Sequence, residues 1–398
     1  MKNFVFISPN FPSVYKKFVT SLKSVGFRVL GIGDAPYWEL DEELKRDLNE
    51  YYCVSNLEDL SQTRNALTYF QNKYGHLDYL ESNNEYWLIN DAILREEFNI
   101  TTGQWPDDMT KIKRKSAMKD YFKKAGVKVA RYILVTTIEQ SLKFVSKVGY
   151  PVFVKPDIGV GADNSYVLHS YEELVDFHQK VLNITYIMEE YLEGEIVSFD
   201  GIANSQSEAL IYLEEHFPIP TAEMVNDGVD DYYYAKSAIN IEFETMGRAV
   251  VKSFNIKKRC FHIEFFILNV DRPGLADKGE VIAMEVNMRP PGGNTPDLLS
   301  FALNRSFYDA YSQIMMNDIL LEPFFKNEII AVASSRKDEF SYELSEEEIF
   351  DKYKKNIVES GRYPKSISAV MGDYYFYGKF ENLDSAIQFA EDLRKKSK

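Results

Sequence analysis

Glu285, Asn287 and Arg289 occupy alternate positions in Val281-Ile-Ala-Met-Glu-Val-Asn-Met-Arg-Pro-Pro-Gly-Gly293. In an extended strand the side-chain period of two places this carboxylate, carboxamide and guanidinium on one face, with Ile282, Met284, Val286 and Met288 on the other. Carboxylate and carboxamide supply the oxygen ligands that Mg²⁺ requires, and a guanidinium grips a phosphate or carboxylate through two parallel hydrogen bonds. The Pro290-Pro-Gly-Gly293 that follows stops the strand and lets backbone come close to a ligand. By itself the stretch fits a solvated strand end equally well.

Upstream, 261–268 alternates as a second strand, with His262, Glu264 and Phe266 on one face and Phe261, Ile263 and Phe265 on the other. A polar hairpin over 269–279 makes the two strands antiparallel neighbours, which brings Glu264 across from Glu285. Paired carboxylates with Asn287 beside them predict a divalent-metal site formed by Glu264, Glu285 and Asn287. Lys155 closes the strand 150–156, on the same face as Phe153 and beside the loop Gly159-Val-Gly-Ala-Asp-Asn-Ser165. An ammonium next to glycine N–H groups, here Gly159 and Gly161, can cradle a phosphate, although many β-turns look alike. The helical run 109–124 holds seven Lys or Arg, Lys115 among them, and reads as a solvated face.

These residues need a scaffold, and the remaining pattern supplies one. Strands at 3–8, 27–32 and 77–81 alternate with helices at 15–24, 41–48, 60–74 and 86–98, the rhythm of an open parallel sheet with helices on both faces. No GxGxxG follows the first strand, so no dinucleotide site is read there. Pro9, Asn83 and Glu85 fall near strand ends and read as solvated loop. After a linker at 103–106 and the basic helix come a strand at 127–134, a helix at 138–148, and a strand–turn–strand over 186–199 that turns at Gly194. A further strand covers 209–213. The irregular stretch 216–234, ending in Tyr232-Tyr-Tyr234, reads as a lid or binding loop. A helix at 239–255 precedes the metal strands, and 296–318 is helical. Strands at 329–335, 366–371 and 374–380 with helices at 346–358 and 383–396 form an appended α/β unit.

The 398 residues carry a net charge of −15, which argues against an extended nucleic-acid surface. No apolar run approaches the roughly 18 residues of a membrane span, and residues 1–9 read as a first strand rather than a signal peptide, so the expected location is cytoplasmic. Cys53 and Cys260 have no metal-ligand spacing and read as reduced.

Taken in order, the strand-borne lysine with its glycine loop, Met188-Glu-Glu-Tyr-Leu-Glu-Gly-Glu195, and Glu264 paired with Glu285-Val-Asn-Met-Arg289 resemble the ATP-grasp superfamily over about residues 1–325. Within it the chain is most similar to the carboxylate–amine ligases, including the carbamoyl phosphate synthetase-like and L-amino acid ligase-like groups. The resemblance implies an ATP-grasp fold of mixed α/β and α+β class. Its parts would be an open parallel-sheet domain at 1–105, an N-terminal ATP-grasp part with a lid subdomain at 106–190, an antiparallel-sheet catalytic core at 191–325, and the appended unit at 326–398. It implies nucleotide contacts from Lys115, where Arg114 stands in the place of the family's Asp, and from Lys155, Gly159 and Gly161. Adenine would meet the backbones of Glu189, Glu190 and Leu192, and ribose the Glu195 carboxylate. Glu264, Glu285 and Asn287 would hold two Mg²⁺, with Mn²⁺ able to substitute, and Arg289, Lys155 and His216 would serve catalysis. The implied activity is an ATP- and Mg²⁺-dependent ligase that joins a small carboxylate, such as an amino acid, to an amine through an acyl phosphate, releasing ADP and phosphate, with a homodimer compatible. Biotin carboxylase-like or other acyl-phosphate chemistry, and a non-catalytic nucleotide-binding scaffold, are the competing readings.

Overall fold

The computed structural model describes all residues except 160–163, 181–183, 219–231, 364, 366, 367, 369, 370 and 398. Near the N-terminus, β1 (Asn3–Ile7), β2 (Arg28–Gly33), β3 (Glu50–Cys53) and β4 (Tyr79–Glu81) form a parallel sheet in the order β3-β2-β1-β4. β1 is buried at every position, as the apolar run Phe4–Ile7 in a parallel sheet covered on both faces should be, with Asn3 buried at its start. β3, with the polar and aromatic sequence Glu-Tyr-Tyr-Cys, gives no alternation and is not among the strands expected from sequence. Helix Lys16–Ser24 packs Phe18 edge-on against Tyr308 and Tyr311 of helix Phe307–Asn317, at 4.7 and 5.0 Å between ring centroids, and so docks this sheet onto the rest of the chain.

The expected strand at 127–134 is two strands in different sheets: β5 (Lys128–Val129) and β6 (Tyr132–Leu134). With β7 (Val152–Pro156), β8 (Tyr166–Leu168) and β9 (Tyr186–Glu190), β6 builds a small antiparallel sheet in the order β6-β9-β7-β8. Helices Ile138–Val148 and Tyr171–Gln179 close its core around Phe144, Val154, Leu174, Phe177 and Met188. The basic run 109–124 breaks at Arg114 (φ −98°, ψ 114°) into helices Met109–Lys113 and Lys115–Lys124. Asp157 holds the break: its carbonyl accepts from the Lys115 amide at 2.8 Å and its side chain from the Ser116 amide at 2.8 Å, satisfying donors that a helix start leaves open.

The largest sheet comprises β10 (Gly194–Ala203), β11 (Ala209–Phe217), β12 (Tyr232–Lys236), β13 (Arg259–Leu268), β14 (Val281–Asn287), β15 (Ile330–Arg336), β16 (Ile357–Arg362) and β17 (Tyr374–Phe380). Their order is β16-β17-β15-β12-β11-β10-β13-β14-β5, antiparallel throughout except for the β14–β5 edge. Residues 326–398, read as an appended unit, thus extend this sheet by three strands, covered by helices Glu346–Tyr353 and Leu383–Arg394. The strand expected at 366–371 lies largely outside the described residues. The stretch 216–234 is not a loop at its ends: His216 and Phe217 finish β11, and Tyr232-Tyr-Tyr234 opens β12, with His216 opposite Tyr234. Behind β10, Gly247 of helix Ile241–Ser253 lets the helix lie directly on Phe199, where a Cβ would stand 2.5 Å from the ring. Among the described residues no helix is long and apolar enough to cross a membrane.

Candidate active site

Register builds the site. Ser198 on β10 faces Glu264 on β13, which faces Glu285 on β14; one step along, Asp200 faces His262, which faces Asn287. Directly opposed residues share a face, so six polar side chains tile three adjacent strands. The residues between them, Phe199, Phe261, Ile263 and Val286, go to the opposite face and into the core. Glu264, Glu285 and Asn287 therefore come together as expected, all with oxygen ligand atoms, a donor set that fits a hard divalent cation. The Asn287 Nδ2 donates to Glu264 Oε1 at 3.3 Å, so it is the carboxamide oxygen that could serve a cation.

The alternation of β14 does not run through. Its register with β13 shifts between Glu264 and Phe265, so that Glu264 faces Glu285 while Phe265 already faces Ala283. Met284 is the unpaired residue of a β-bulge, and Ile282 consequently lies on the face opposite Val286, where the sequence placed both together.

His262 sits between two carboxylates, with Nδ1 2.6 Å from Asp200 Oδ1 and Nε2 2.9 Å from Glu264 Oε1. Burial would pull its pKa down, yet the two carboxylates prevail and hold it up at about 10. Burial likewise opposes ionisation of Glu264, but His262, Arg289 and Lys155 outweigh it and keep this carboxyl below its usual range.

Three lysines approach from the small sheet and the basic helices. Lys115 Nζ lies 3.2 Å from Glu285 Oε1 and 3.1 Å from the Gly159 carbonyl oxygen. Lys155, at the end of β7 and over the Phe153 ring, lies 3.0 Å from Glu189 Oε2. Lys119 lies 2.6 Å from the other oxygen of Glu189. Burial alone would raise the Glu189 pKa, but the two ammoniums outweigh it and bring it to about 2. Lys113 pairs at 2.6 Å with Glu85, which is buried rather than in solvated loop. The solvated-face reading of this helix is thus corrected: Lys113, Lys115 and Lys119 are 9, 4 and 1% exposed. Lys119 and Lys113 were not among the expected site residues, although Lys119 stands one helical turn from Lys115 and a shared face was legible.

The segment 189–195 divides its tasks. Glu190 is held by Arg131, with the guanidinium Nε 2.8 Å from its carboxylate and its own amide donating to the Arg131 carbonyl at 3.0 Å, so that the Glu190 N–H is already committed. Leu192 is buried against Ala130 and Ile282. Glu195 faces Ile267, and His216 faces Val197, which puts both on the opposite side of the sheet from Glu264. There His216 Nδ1 contacts Glu195 Oε1 at 2.7 Å, its Nε2 lies 2.6 Å from Glu214, and its ring stacks on Tyr234 at 4.6 Å. His216 is therefore not part of the Glu264–Glu285–Asn287 cluster, and the reason is strand parity. Arg289 follows β14, donates to the Pro290 carbonyl at 2.8 Å, and acts electrostatically on both Glu264 and Glu85. Gly293 takes φ +57°, a conformation that favours glycine. Gly159 is in place beside Lys115; Gly161 lies outside the described residues.

Residues 114–195 match the family described as "Carbamoyl-phosphate synthase L chain, ATP binding domain". The chain is 24% identical over 268 residues to an L-arginine-specific L-amino acid ligase of Bacillus subtilis, a match covering 65% of this chain and 62% of that ligase. The structure of an L-amino acid ligase from Bacillus licheniformis superposes with a TM-score of 0.73 at 14% identity, covering 99% of this chain and 97% of that one. The biotin carboxylase domain of a Hydrogenobacter thermophilus 2-oxoglutarate carboxylase, in complex with MgADP and bicarbonate, gives 0.70 at 15% identity, covering 100% and 90%. Residues 114–195 are thus similar to that ATP-binding domain, and the chain as a whole shares the ATP-grasp fold of these ligases.

Proposed function

We propose that this chain is an ATP-dependent ligase that activates a small carboxylic acid as its acyl phosphate and joins it to an amine, releasing ADP and phosphate. One observation carries the reading: Glu264, Glu285 and Asn287 meet on one sheet face while Lys115 reaches from Glu285 to the Gly159 loop, which joins a metal-type oxygen cluster to a phosphate-type cradle. Lys115 and Lys155 are placed to take phosphate oxygens, exchanging their carboxylate partners for them. Mg²⁺, as two ions or with Mn²⁺ in its place, would be held by Glu264, Glu285 and Asn287 and would supply neutralising charge at the transferring phosphoryl group. Arg289 would hold the acid's carboxylate through its fork of N–H donors. An acyl phosphate hydrolyses in water, so the small sheet bearing Lys155 has the task of covering the reacting atoms. In support of an amino acid as the acid stands the similarity to L-amino acid ligases. Because of strand parity, His216 is left out of the catalytic set, and Glu195 enters only as a residue that His216 positions.

The test is ADP release by the full chain, screened against acids and amines in pairs, with bicarbonate among the acids because a biotin carboxylase domain shares the fold. Stimulation by an acid together with an amine, and formation of the amide, is the expected result. Tight nucleotide binding with no stimulation by any pair would refute the ligase reading in favour of a scaffold, and stimulation by bicarbonate with biotin would replace it with carboxylation.

A further inference from the structure

Of the six polar side chains that tile β10, β13 and β14, the proposed reaction uses only Glu264, Glu285 and Asn287. Asp200, His262 and Ser198 remain. Asp200 and Ser198 are completely buried and His262 is nearly so. Placing such groups in a sheet interior carries a desolvation cost that apolar residues would avoid. The hydrogen bonds form one connected line: Ser198 donates to Asp200 Oδ2, Asp200 Oδ1 lies 2.6 Å from His262 Nδ1, and His262 Nε2 lies 2.9 Å from Glu264 Oε1. The line ends on the carboxylate that faces Glu285. The Phe217 ring meets the imidazole edge-on at 6.3 Å between centroids, and the strand ladders on both sides fix its backbone, so the ring has little room to turn.

We infer that His262, oriented by Asp200, is the positioning residue of Glu264: it occupies Oε1, fixes the carboxylate's rotamer, and leaves Oε2 as the oxygen offered to the divalent cation. The Asn287 amide donates to the same Oε1 at 3.3 Å, so both neighbours constrain one oxygen and spare the other. Outer hydrogen-bond partners of this kind orient metal ligands and set the affinity of a site. The inference rests on Glu264 being a metal ligand, and the experiment separates the two.

Mn²⁺ binding to the full chain is followed by electron paramagnetic resonance, with and without ADP, in His262→Ala, His262→Gln, Asp200→Asn and Glu264→Gln. The expected result is that His262→Ala weakens Mn²⁺ binding about 10- to 100-fold. His262→Gln, which keeps an N–H donor for Glu264, should recover part of the loss, and Asp200→Asn should weaken binding less than His262→Ala. In turnover assays the metal concentration for half-maximal rate should rise more than the maximal rate falls, a split that a mere packing defect would not give. Wild-type Mn²⁺ affinity in His262→Ala, when Glu264→Gln is impaired, overturns the positioning role alone. Unchanged affinity in Glu264→Gln overturns the metal reading itself. Should thermal unfolding show His262→Ala to be unfolded, Asp200→Asn decides, because it conserves volume: unchanged Mn²⁺ affinity there refutes the inference.

Discussion

Two clusters of buried charge lie a few residues apart along β13, and they are built differently. At the start of the strand Arg259 reaches Glu81 of β4 at 2.7 Å, and Arg95 reaches the other Glu81 oxygen at 3.1 Å. Further guanidinium donors go to the carbonyls of Met288, Leu80 and Gln104 and to the Gln104 side chain, so that every nitrogen of both guanidiniums has an acceptor. Toward the middle of the strand, beside Glu264, Lys115 meets Glu285 while Lys119 and Lys155 meet Glu189, each carboxylate contact being a single ammonium pair that a phosphate or a cation could replace. Arginine's planar fork suits a permanent joint between the first sheet and the largest one, whereas lysine's point charge on a flexible stem suits partners that exchange. Buried charge is therefore not in itself a mark of chemistry; what marks it is incomplete and exchangeable pairing.

Substitutions should separate the two clusters. Glu285→Gln, which removes charge with little change of volume, should cut ATP turnover by about 10³-fold or more while the unfolding temperature stays near that of wild type; near wild-type turnover would contradict the site assignment. Arg259→Met should do the reverse, lowering stability in urea by about 3–5 kcal/mol because Glu81 loses a buried partner, with turnover per folded molecule kept within a few-fold. A large fall in turnover at full stability would place Arg259 with the chemistry instead.

Glu189, with an ammonium on each carboxylate oxygen, is the most fully paired member of the lysine cluster, and pH can test that pairing. Its folded pKa, about 2, lies below that of an ordinary Glu, so its contribution to stability is fully present above pH 4.5 and is lost as pH falls through about 2. The stability gap between wild type and Glu189→Gln should accordingly be widest at neutral pH and close below pH 4.5, as followed by denaturant unfolding across that range; a gap independent of pH would mean that the ion pairs contribute nothing. The smallest effect should come from Glu190→Gln. Its carboxylate serves the partly exposed Arg131, so the ATP KM should move by under about threefold.

How far these clusters were legible depended on how local their signals are. The Glu264–Glu285–Asn287 face is readable because these residues stand in strands whose alternation needs no partner to be seen. Lys119 and Lys113 are hidden in the sequence because a basic helix is usually solvated, and only the partners packed over it, Glu189 of the small sheet for Lys119 and Glu85 beyond β4 for Lys113, reveal which lysines are enclosed. The split of 127–134 between two sheets escaped notice for the same reason: β5 and β6 are continuous in sequence, and their partners, β14 and β9, lie far along the chain. Prolines after His216 suggest a loop, yet it stands next to last in a nine-residue strand whose register decides its face. The parallel first sheet was legible in outline, short β3 excepted.

The bulge at Met284 has a consequence in the arithmetic of chain length. Between Ala283 and Glu285 the strand carries one residue more than its partner spends between Phe265 and Glu264. Deleting Met284 would bring both strands into equal count and leave every apolar side chain on its present face, so a deletion that elsewhere in a strand would scramble the core should here give a folded protein. Deleting Val286 instead would turn either the carboxylate or the apolar half of the strand to the wrong side. A folded Met284-deleted chain would still lack the bend that a bulge imposes, and whatever turnover it loses would measure how much of the catalysis lies in the aim of Glu285 rather than in its presence.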